Sequence, residues 1–282
     1  MNAPKNIVRK APAKINLFLH VLSKRTDNFH EIESLISFTE FGDKISVYES
    51  DNLEFLFKGP MAFDLPSLKE NIVYKAVMLL KEIYNISLGA KIIVEKNIPI
   101  AGGLGGGTSD AVAVVDCLTK LWGIKVSKKK LMREYLSLGA DFPVCFFAKS
   151  AFVKGIGDIC SPLSFSLSHP ILLVNPKKTL NTKLVFSDVD ISRCYKKPIT
   201  NNDFKDFKNF GNDLLPFANN HVPQIMEIIN LLLASDGCIY ANLSGSGPTC
   251  FGIFDSYERL NKVINVFSSN YDWWLMPTNL KG

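Results

Sequence analysis

The residues from Pro99 to Ser109 (PIAGGLGGGTS) have the composition of a phosphate-binding loop. Five of the six positions 102–107 are glycine, which lets the backbone approach a ligand closely with its N–H groups. The apolar run from Ala111 to Trp122 predicts a buried helix whose N-terminus would face the same ligand. Residues 108–110 (Thr, Ser, Asp) are capping types, so we expect the helix to begin after the glycines.

Two better-known phosphate motifs do not match this loop. The lysine and hydroxyl of a P-loop, G-x-x-x-x-G-K-[ST], are missing. The dinucleotide pattern G-x-G-x-x-G would need glycine at 108 after Gly103 and Gly105, and position 108 is threonine. A flexible linker would be flanked by polar residues rather than by a strand and a core helix. The loop therefore indicates a phosphate site of another kind.

Three further segments could carry chemistry, and each has an ordinary alternative. Lys14 and Asn16 share one face of a β-like run, where a lysine is usually solvated. Asp141 interrupts a helical pattern beside glycine and proline, as turn or cap residues do. The segment 242–248 (NLSGSGP) offers backbone donors between two β-like runs, and alone it would be a hairpin turn.

The elements that must position these residues begin with a β-rich stretch and continue as a mixture of helices and strands. Turns are predicted at 26–28 and 41–43, and a turn-rich stretch at 155–170 is the predicted domain boundary. The polar segment 201–212 is expected to be a mobile loop. The predicted strands are 15–22, 34–41, 44–48, 53–58, 91–98, 151–154, 171–174, 238–242 and 249–254, and the predicted helices are 71–84, 111–122, 127–138, 223–234 and 257–268.

Composition limits the class of protein. The 282 residues are 47% hydrophobic and 21% charged, which is ordinary for a soluble globular protein. The net charge of +5 suits anionic substrates without indicating a nucleic-acid surface. Six irregularly spaced cysteines predict reduced thiols and no zinc site. Neither a signal peptide nor a transmembrane run is evident, so we expect a cytoplasmic protein that binds no membrane.

Taken together, the motifs resemble those of the GHMP kinase superfamily. The segment 12–17 (PAKINL) matches its N-terminal P-x-K-[IL]-N-L motif, Pro99 to Ser109 match its central glycine loop, and Leu243 to Thr249 match its C-terminal small-residue loop. Within the superfamily, the residues resemble the branch that phosphorylates a cytidine diphosphate-linked sugar alcohol in the non-mevalonate isoprenoid pathway. That similarity rests on 25–30 (RTDNFH), on Glu70 and Asn71, and on 139–143 (GADFP). Asn28 replaces a usual glycine, which is tolerable at a positive φ.

The resemblance implies a role for each site residue. Asp141 would accept the proton of the attacking hydroxyl, and Lys14 would lie close to Asp141 and to the transferring phosphoryl group. Mg²⁺ would bridge the ATP phosphates, and no protein metal ligand is assigned. The residues implied in binding ATP are Asn71, Pro99, Ile100, Ala101, Gly102, Gly103, Leu104, Gly105, Gly106, Gly107, Thr108 and Ser109.

The resemblance also implies an aromatic site for the cytosine of the acceptor. Phe29 is the first candidate for stacking on the ring and Phe186 the second, although Phe29 could equally be a core anchor. His30 and Asn16 would supply polar contacts.

The implied architecture is the two-domain α+β GHMP kinase fold. An ATP-binding domain (1–162) would precede a C-terminal ferredoxin-like α/β sandwich (163–282), with the acceptor in the cleft between them. The chain would be a monomer or a homodimer acting on a small molecule. Two alternatives stay open at this point: a related kinase for mevalonate, phosphomevalonate or homoserine, and a non-catalytic nucleotide-binding module.

Overall fold

The protein is described by a computed structural model that covers residues 6–164, 167–195, 199 and 201–281, with only the backbone at 201–203 and 205. Its chain divides into two compact units, each assembled from separated stretches. Unit 1 comprises residues 1–13, 42–100 and 105–148; unit 2 comprises residues 14–41, 101–104 and 149–282. The predicted boundary between residues 162 and 163 stays a prediction.

Two long strands supply residues to both units. β1 (Asn6–Lys24) and β2 (His30–Tyr48) pair with each other. The turn predicted at 41–43 is wrong, since β2 runs through these residues without interruption. The physical reason is Gly42, because a Cβ there would lie 2.8 Å from the Cα of Pro12, so the glycine lets the two strands approach closely.

Unit 1 combines a small sheet with a helical layer. In chain order its remaining elements are β3 (Leu53–Lys58), α1 (Ile72–Ile83), β4 (Ala90–Glu95), α2 (Gly106–Leu121), α3 (Lys128–Tyr135) and α4 (Phe142–Phe147). β4 pairs in parallel with β3 and antiparallel with residues 44–48 of β2. Helix α2 is the centre of the layer, since it packs on both α1 and α4. The apolar run after the glycine loop therefore forms the predicted buried helix.

Unit 2 is an antiparallel sheet with helices on one face. In chain order its elements are β5 (Ala151–Gly155), β6 (Ile159–Pro162), β7 (Pro170–Asn175), α5 (Thr182–Ser187), α6 (Leu215–His221), α7 (Gln224–Ala234), β8 (Cys238–Leu243), β9 (Cys250–Phe254), α8 (Tyr257–Asn270) and β10 (Trp274–Lys281). The order β10-β7-β9-β8 is antiparallel throughout, and residues 30–41 of β2 pair with β5 and with the end of β10. Helices α7 and α8 bury their apolar faces in one core with β7, β8 and β9. The predicted α+β class is confirmed.

The segment expected to be a mobile loop is helical. Residues 201–209 form 3₁₀ turns with a kink at Asp206, and Phe204 and Phe207 are buried. Two aromatic side chains at a spacing of three place one face of the segment in the core. The polar residues around them dominate the composition, so the sequence does not indicate this buried face. In the predicted boundary stretch 155–170, residues 159–162 form β6, and residues 165 and 166 lie outside the described residues.

Within the described ranges, the helices are all too short or too polar to cross a membrane.

Candidate functional site

The glycine loop turns sharply and leads directly into α2. Ala101, Gly103 and Gly105 have φ values of 51°, 76° and 63°, the left-handed region that favours glycine. Gly105 is the N-cap of α2, and no side chain caps the helix there. The N–H groups of residues 106–108 consequently have no acceptor within the helix, and a helix start of this kind binds anions.

The predicted capping by residues 108–110 is wrong, because α2 begins earlier, at Gly106. Ser109 already lies within the helix, where its Oγ donates to the carbonyl of Pro12 at 2.8 Å. Glycine fits this helix start because α1 packs close to it: a Cβ at Gly107 would lie 3.2 Å from Cγ2 of Ile72. Thr108 is half-buried, as are Pro99 and Ile100 at the upstream end of the loop.

Within unit 2, the C-terminal small-residue loop holds residues 101–104 of the glycine loop. Oγ of Ser244 donates to the carbonyl of Gly103 at 2.9 Å, and the amide of Thr249 donates to the carbonyl of Gly102 at 3.2 Å. Gly103 is confined on this side, since a Cβ there would lie 2.9 Å from the carbonyl oxygen of Gly247. The segment is thus more than a hairpin turn: it fixes the path of the glycine loop.

Lys14 is buried beside residues 101–104. It is 6% exposed, so the alternative of a solvated lysine is wrong. Its backbone N–H donates to the carbonyl of Leu104 at 2.9 Å, and its Nζ donates to Oδ1 of Asn16 at 2.9 Å. Nδ2 of Asn16 donates in turn to Oγ of Ser34 at 2.8 Å. Unit 2 therefore brings together Lys14, Asn16 and part of the glycine loop.

Asp141 and Asn71 belong to unit 1, each just before a helix. Asp141 lies in a turn at the N-cap position of α4, as the turn alternative predicts, but its side chain does not cap that helix. Asn71 does cap α1, accepting the amide of Val73 on Oδ1 at 2.9 Å. The predicted role of Asn71 in holding the nucleotide stays a prediction, and its observed contact is with α1.

His30 and Phe186 lie together in unit 2. Their ring centroids are 5.2 Å apart at an interplanar angle of 35°. Burial lowers the pKa of His30, and the positive charge of Lys24 lowers it further. The imidazole is consequently neutral at pH 7, with one nitrogen that donates a hydrogen bond and one that accepts.

Phe29 lies in the turn before β2. It is 55% exposed, so the alternative of a core anchor is wrong. Arg25 fixes the turn through ion pairs with Asp27 at 3.1 Å and Glu31 at 2.7 Å. Asn28 has φ 68°, which explains how asparagine replaces the usual glycine.

Sequence reasoning missed Ser34 and Ser244 as parts of the site. Oγ of Ser34 donates to the carbonyl of Phe18 at 2.6 Å and accepts from Asn16, while Ser244 contacts Gly103. A serine inside a β-like run carries no local signal of such a contact. The repeated small residues of 243–249 were the one available signal for Ser244.

Comparison with known proteins gives consistent matches over the length of the chain. Residues 71–149 match the GHMP kinases N terminal domain, and residues 197–272 match the GHMP kinases C terminal domain. A 4-diphosphocytidyl-2-C-methyl-D-erythritol kinase of Chelativorans is 39% identical over 94% of this chain and 93% of its own length.

Solved structures give the same result. A 4-(cytidine 5'-diphospho)-2C-methyl-D-erythritol kinase has a TM-score of 0.82 at 27% identity, covering 98% of this chain and all of its own. A homoserine kinase from Cytophaga hutchinsonii has a TM-score of 0.73 at 17% identity, covering 98% of this chain and 95% of its own, and at that identity the likeness concerns the fold alone. The chain therefore belongs to the GHMP kinase family, in the group of the 4-diphosphocytidyl-2-C-methyl-D-erythritol kinases.

Proposed function

We propose that this chain transfers the γ-phosphate of ATP to the 2-hydroxyl of 4-diphosphocytidyl-2-C-methyl-D-erythritol, a step in the making of isoprenoid precursors. The observation that carries the proposal is the position of Lys14, a buried cation whose backbone is hydrogen-bonded to the glycine loop at Leu104. A fixed cation beside a phosphate cradle stabilises the charge that develops in phosphoryl transfer.

The proposed step is an in-line displacement at the γ-phosphorus. The acceptor hydroxyl oxygen forms a bond to phosphorus, the bond from phosphorus to the β,γ-bridging oxygen breaks, and ADP leaves. Asp141 takes the hydroxyl proton, and Lys14 neutralises charge on the transferred group. The N–H groups at the start of α2 hold the phosphates of the nucleotide.

We propose that Mg²⁺ enters with ATP. The described residues contain no group of three or more His, Cys, Asp or Glu side chains arranged to hold a metal ion. Mg²⁺ commonly retains its waters and binds substrate phosphates rather than an all-protein cage. Its contribution is to neutralise phosphate charge, and the residues of the chain supply the contacts described above.

The acceptor is proposed from the aromatic site. The cytosine stacks on Phe186, with Phe29 as a second aromatic face, and neutral His30 offers both a donor and an acceptor to the ring edge. Asn16 was predicted to read the acceptor as well. Both ends of its amide are already hydrogen-bonded, to Lys14 and Ser34, so its proposed contribution is mainly to hold Lys14.

ADP release by the purified protein, measured with four acceptors in turn, tests this function. We expect turnover with 4-diphosphocytidyl-2-C-methyl-D-erythritol and none with mevalonate, phosphomevalonate or homoserine. Turnover confined to one of the other three would make the chain a different small-molecule kinase. ATP binding without ADP release from any acceptor would make it a non-catalytic nucleotide-binding module.

A further inference from the structure

Lys96 is buried between two aspartates at the point where the chain leaves β4. Its Nζ donates to a carboxylate oxygen of Asp43 and, at 2.6 Å, to Oδ2 of Asp110. Lys96 is 3% exposed, Asp43 0% and Asp110 1%. We call these three residues the stem cluster, and all of them belong to unit 1.

The stem cluster joins both ends of the glycine loop to a strand outside it. Asp43 lies on β2, and its Oδ1 accepts the backbone N–H groups of Asn97 and, at 2.8 Å, of Ile98, which lead into the loop. Asp110 lies in α2, four residues after the helix begins. Lys96 connects the two carboxylates, so the entry to the loop and the helix at its exit are tied to the same point of β2.

The stem cluster holds more carboxyl groups than cations. Two carboxyl groups face one ammonium group, and Oδ1 of Asp110 has no hydrogen-bond partner among the described residues. Burial raises the pKa of Asp110 well above its usual range; the Lys96 charge opposes that shift, and Asp43 adds to it. Burial alone would lower the pKa of Lys96, but Asp110 and Asp43 outweigh it and raise that pKa.

Such a group is a costly way to gain stability. Desolvation of buried charges often cancels their attraction, and apolar residues of similar volume are commonly as stable. What apolar residues cannot supply is a charged oxygen that orients two backbone N–H groups. We therefore expect these buried charges to orient the backbone at the start of the glycine loop rather than to add to the stability of the fold.

We propose that the stem cluster sets the separation and direction of the two stems of the glycine loop, so that its backbone N–H groups meet the ATP phosphates. Lys96, Asp43 and Asp110 are positioning residues in this proposal. It rests on the proposed function to the extent that ATP is the ligand of the loop.

Two variants test the proposal in the full-length protein. Asp43→Asn keeps the shape but has one acceptor oxygen in place of two, so it can accept from Asn97 and Ile98 or from Lys96, and not from both. Lys96→Met removes the link between the stems. We expect the KM for ATP and the Kd of a non-hydrolysable ATP analogue with Mg²⁺ to rise at least fivefold in Asp43→Asn and at least tenfold in Lys96→Met. The KM for the acceptor should stay within twofold.

Tyr135→Phe is the matched control in the same unit. Tyr135 is buried, and its hydroxyl donates to the carbonyl of Ala76 in α1 at 2.9 Å. Its loss should lower the Tm without changing the Kd of the ATP analogue. If Lys96→Met does not fold, the Kd of the ATP analogue in Asp43→Asn tests the proposal by itself.

Either of two results would overturn the proposal: wild-type affinity for the analogue in folded Asp43→Asn, or KM values for both substrates that rise together. A wild-type protein that binds the analogue but releases no ADP from any acceptor would defeat the proposed function alone, because the Kd comparison would still test the stem cluster. A wild-type protein that does not bind the analogue would overturn both.

Discussion

The orientation of the Asn16 amide is determined by one serine hydroxyl. Oγ of Ser34 donates its only hydrogen to the carbonyl of Phe18, so toward Asn16 it can only accept. The NH₂ group of Asn16 must therefore face Ser34, and its oxygen must face Lys14. Two buried polar residues, Asn16 and Ser34, thus hold the ammonium group of Lys14 in a defined position.

Asp141→Asn tests the proposed proton acceptor. Asparagine keeps the shape of aspartate but cannot accept the hydroxyl proton, so we expect kcat to fall by about 10²–10⁴-fold, with the Kd for ATP unchanged. Single-turnover ADP release and analogue titration measure the two quantities. Asp116→Asn is the control, because Asp116 is a partly exposed aspartate of the same unit that forms ion pairs with Arg9 and Lys120. Undiminished turnover in Asp141→Asn would remove Asp141 from the mechanism.

The pH dependence of acceptor binding tests His30. Its lowered pKa keeps the ring neutral in the folded protein until the pH falls below the ordinary histidine value. We expect the KM for the cytidine substrate to be constant from pH 8 to about 6.5 and to rise only at lower pH, as protonation removes the accepting nitrogen. His30→Gln should raise KM and flatten the profile. A profile unchanged by this substitution would assign the titration to another group.

The sequence predicted some of these residues well and others poorly, for physical reasons. Lys14, His30 and the glycine loop belong to short motifs in which a local pattern reflects the site. Ser34 contacts Asn16 through strand pairing, which is a tertiary relationship that no local pattern carries. Phe29 preceded Phe186 as the first aromatic candidate, yet it is Phe186 that lies beside His30, because the position of α5 is set by packing in unit 2.

At the scale of elements, the path of the glycine loop depends on the C-terminal small-residue loop as much as on its own residues. The C-terminal loop contacts it at Gly102 and Gly103, and the left-handed φ of Gly103 combines with a backbone contact that leaves no room for a side chain. The sequence predicted the presence of the loop. The exact start of α2 and the continuity of β2 through Gly42 depended on close approaches between elements, which composition does not encode.

Comparison of Gly103→Ala with Gly123→Ala separates conformational strain from steric crowding at the glycine loop. An L-residue in the left-handed region costs about 1–2 kcal/mol, and the added methyl also meets the carbonyl oxygens of Ser244 and Gly247. We expect lower stability in denaturant titration and at least a tenfold rise in the KM for ATP. Gly123→Ala is the control, since Gly123 has φ +68° and nothing lies within 4 Å of its Cβ position. It should lose stability through strain alone and keep its KM; equal KM values in the two variants would argue against a role for Gly103 in ATP binding.

At the scale of the whole molecule, the N-terminal strands are part of a core completed by the C-terminal half. Leu19 and Val21 of β1 are buried in the same apolar cluster as α7 and α8, and burial of such side chains stabilises by about 1.5–3 kcal/mol each. Unit 2 accordingly includes residues 14–41 as well as 149–282. The family motifs predicted the α+β class, whereas this interleaving arises from long-range pairing that local patterns do not reveal.

A fragment of residues 163–282 should not unfold cooperatively, because it lacks these strands and their apolar side chains. Joining residues 14–41 to residues 149–282 through a flexible linker should restore a cooperative transition. Circular dichroism during heating measures both. A cooperative transition of the short fragment at the Tm of the full chain would mean that β1 and β2 contribute little to the C-terminal core.

The pairing of β2 with β10 also constrains the order of events during synthesis. Thr39 is made long before its strand partner Leu280. At about 5–20 residues per second, the ribosome needs on the order of tens of seconds to supply that partner, and the edge of β2 meanwhile has no native cover there. Newly made chains should therefore depend on chaperones that shield exposed strand edges, and slowing translation just before the codons of β10 should lower the yield of folded protein.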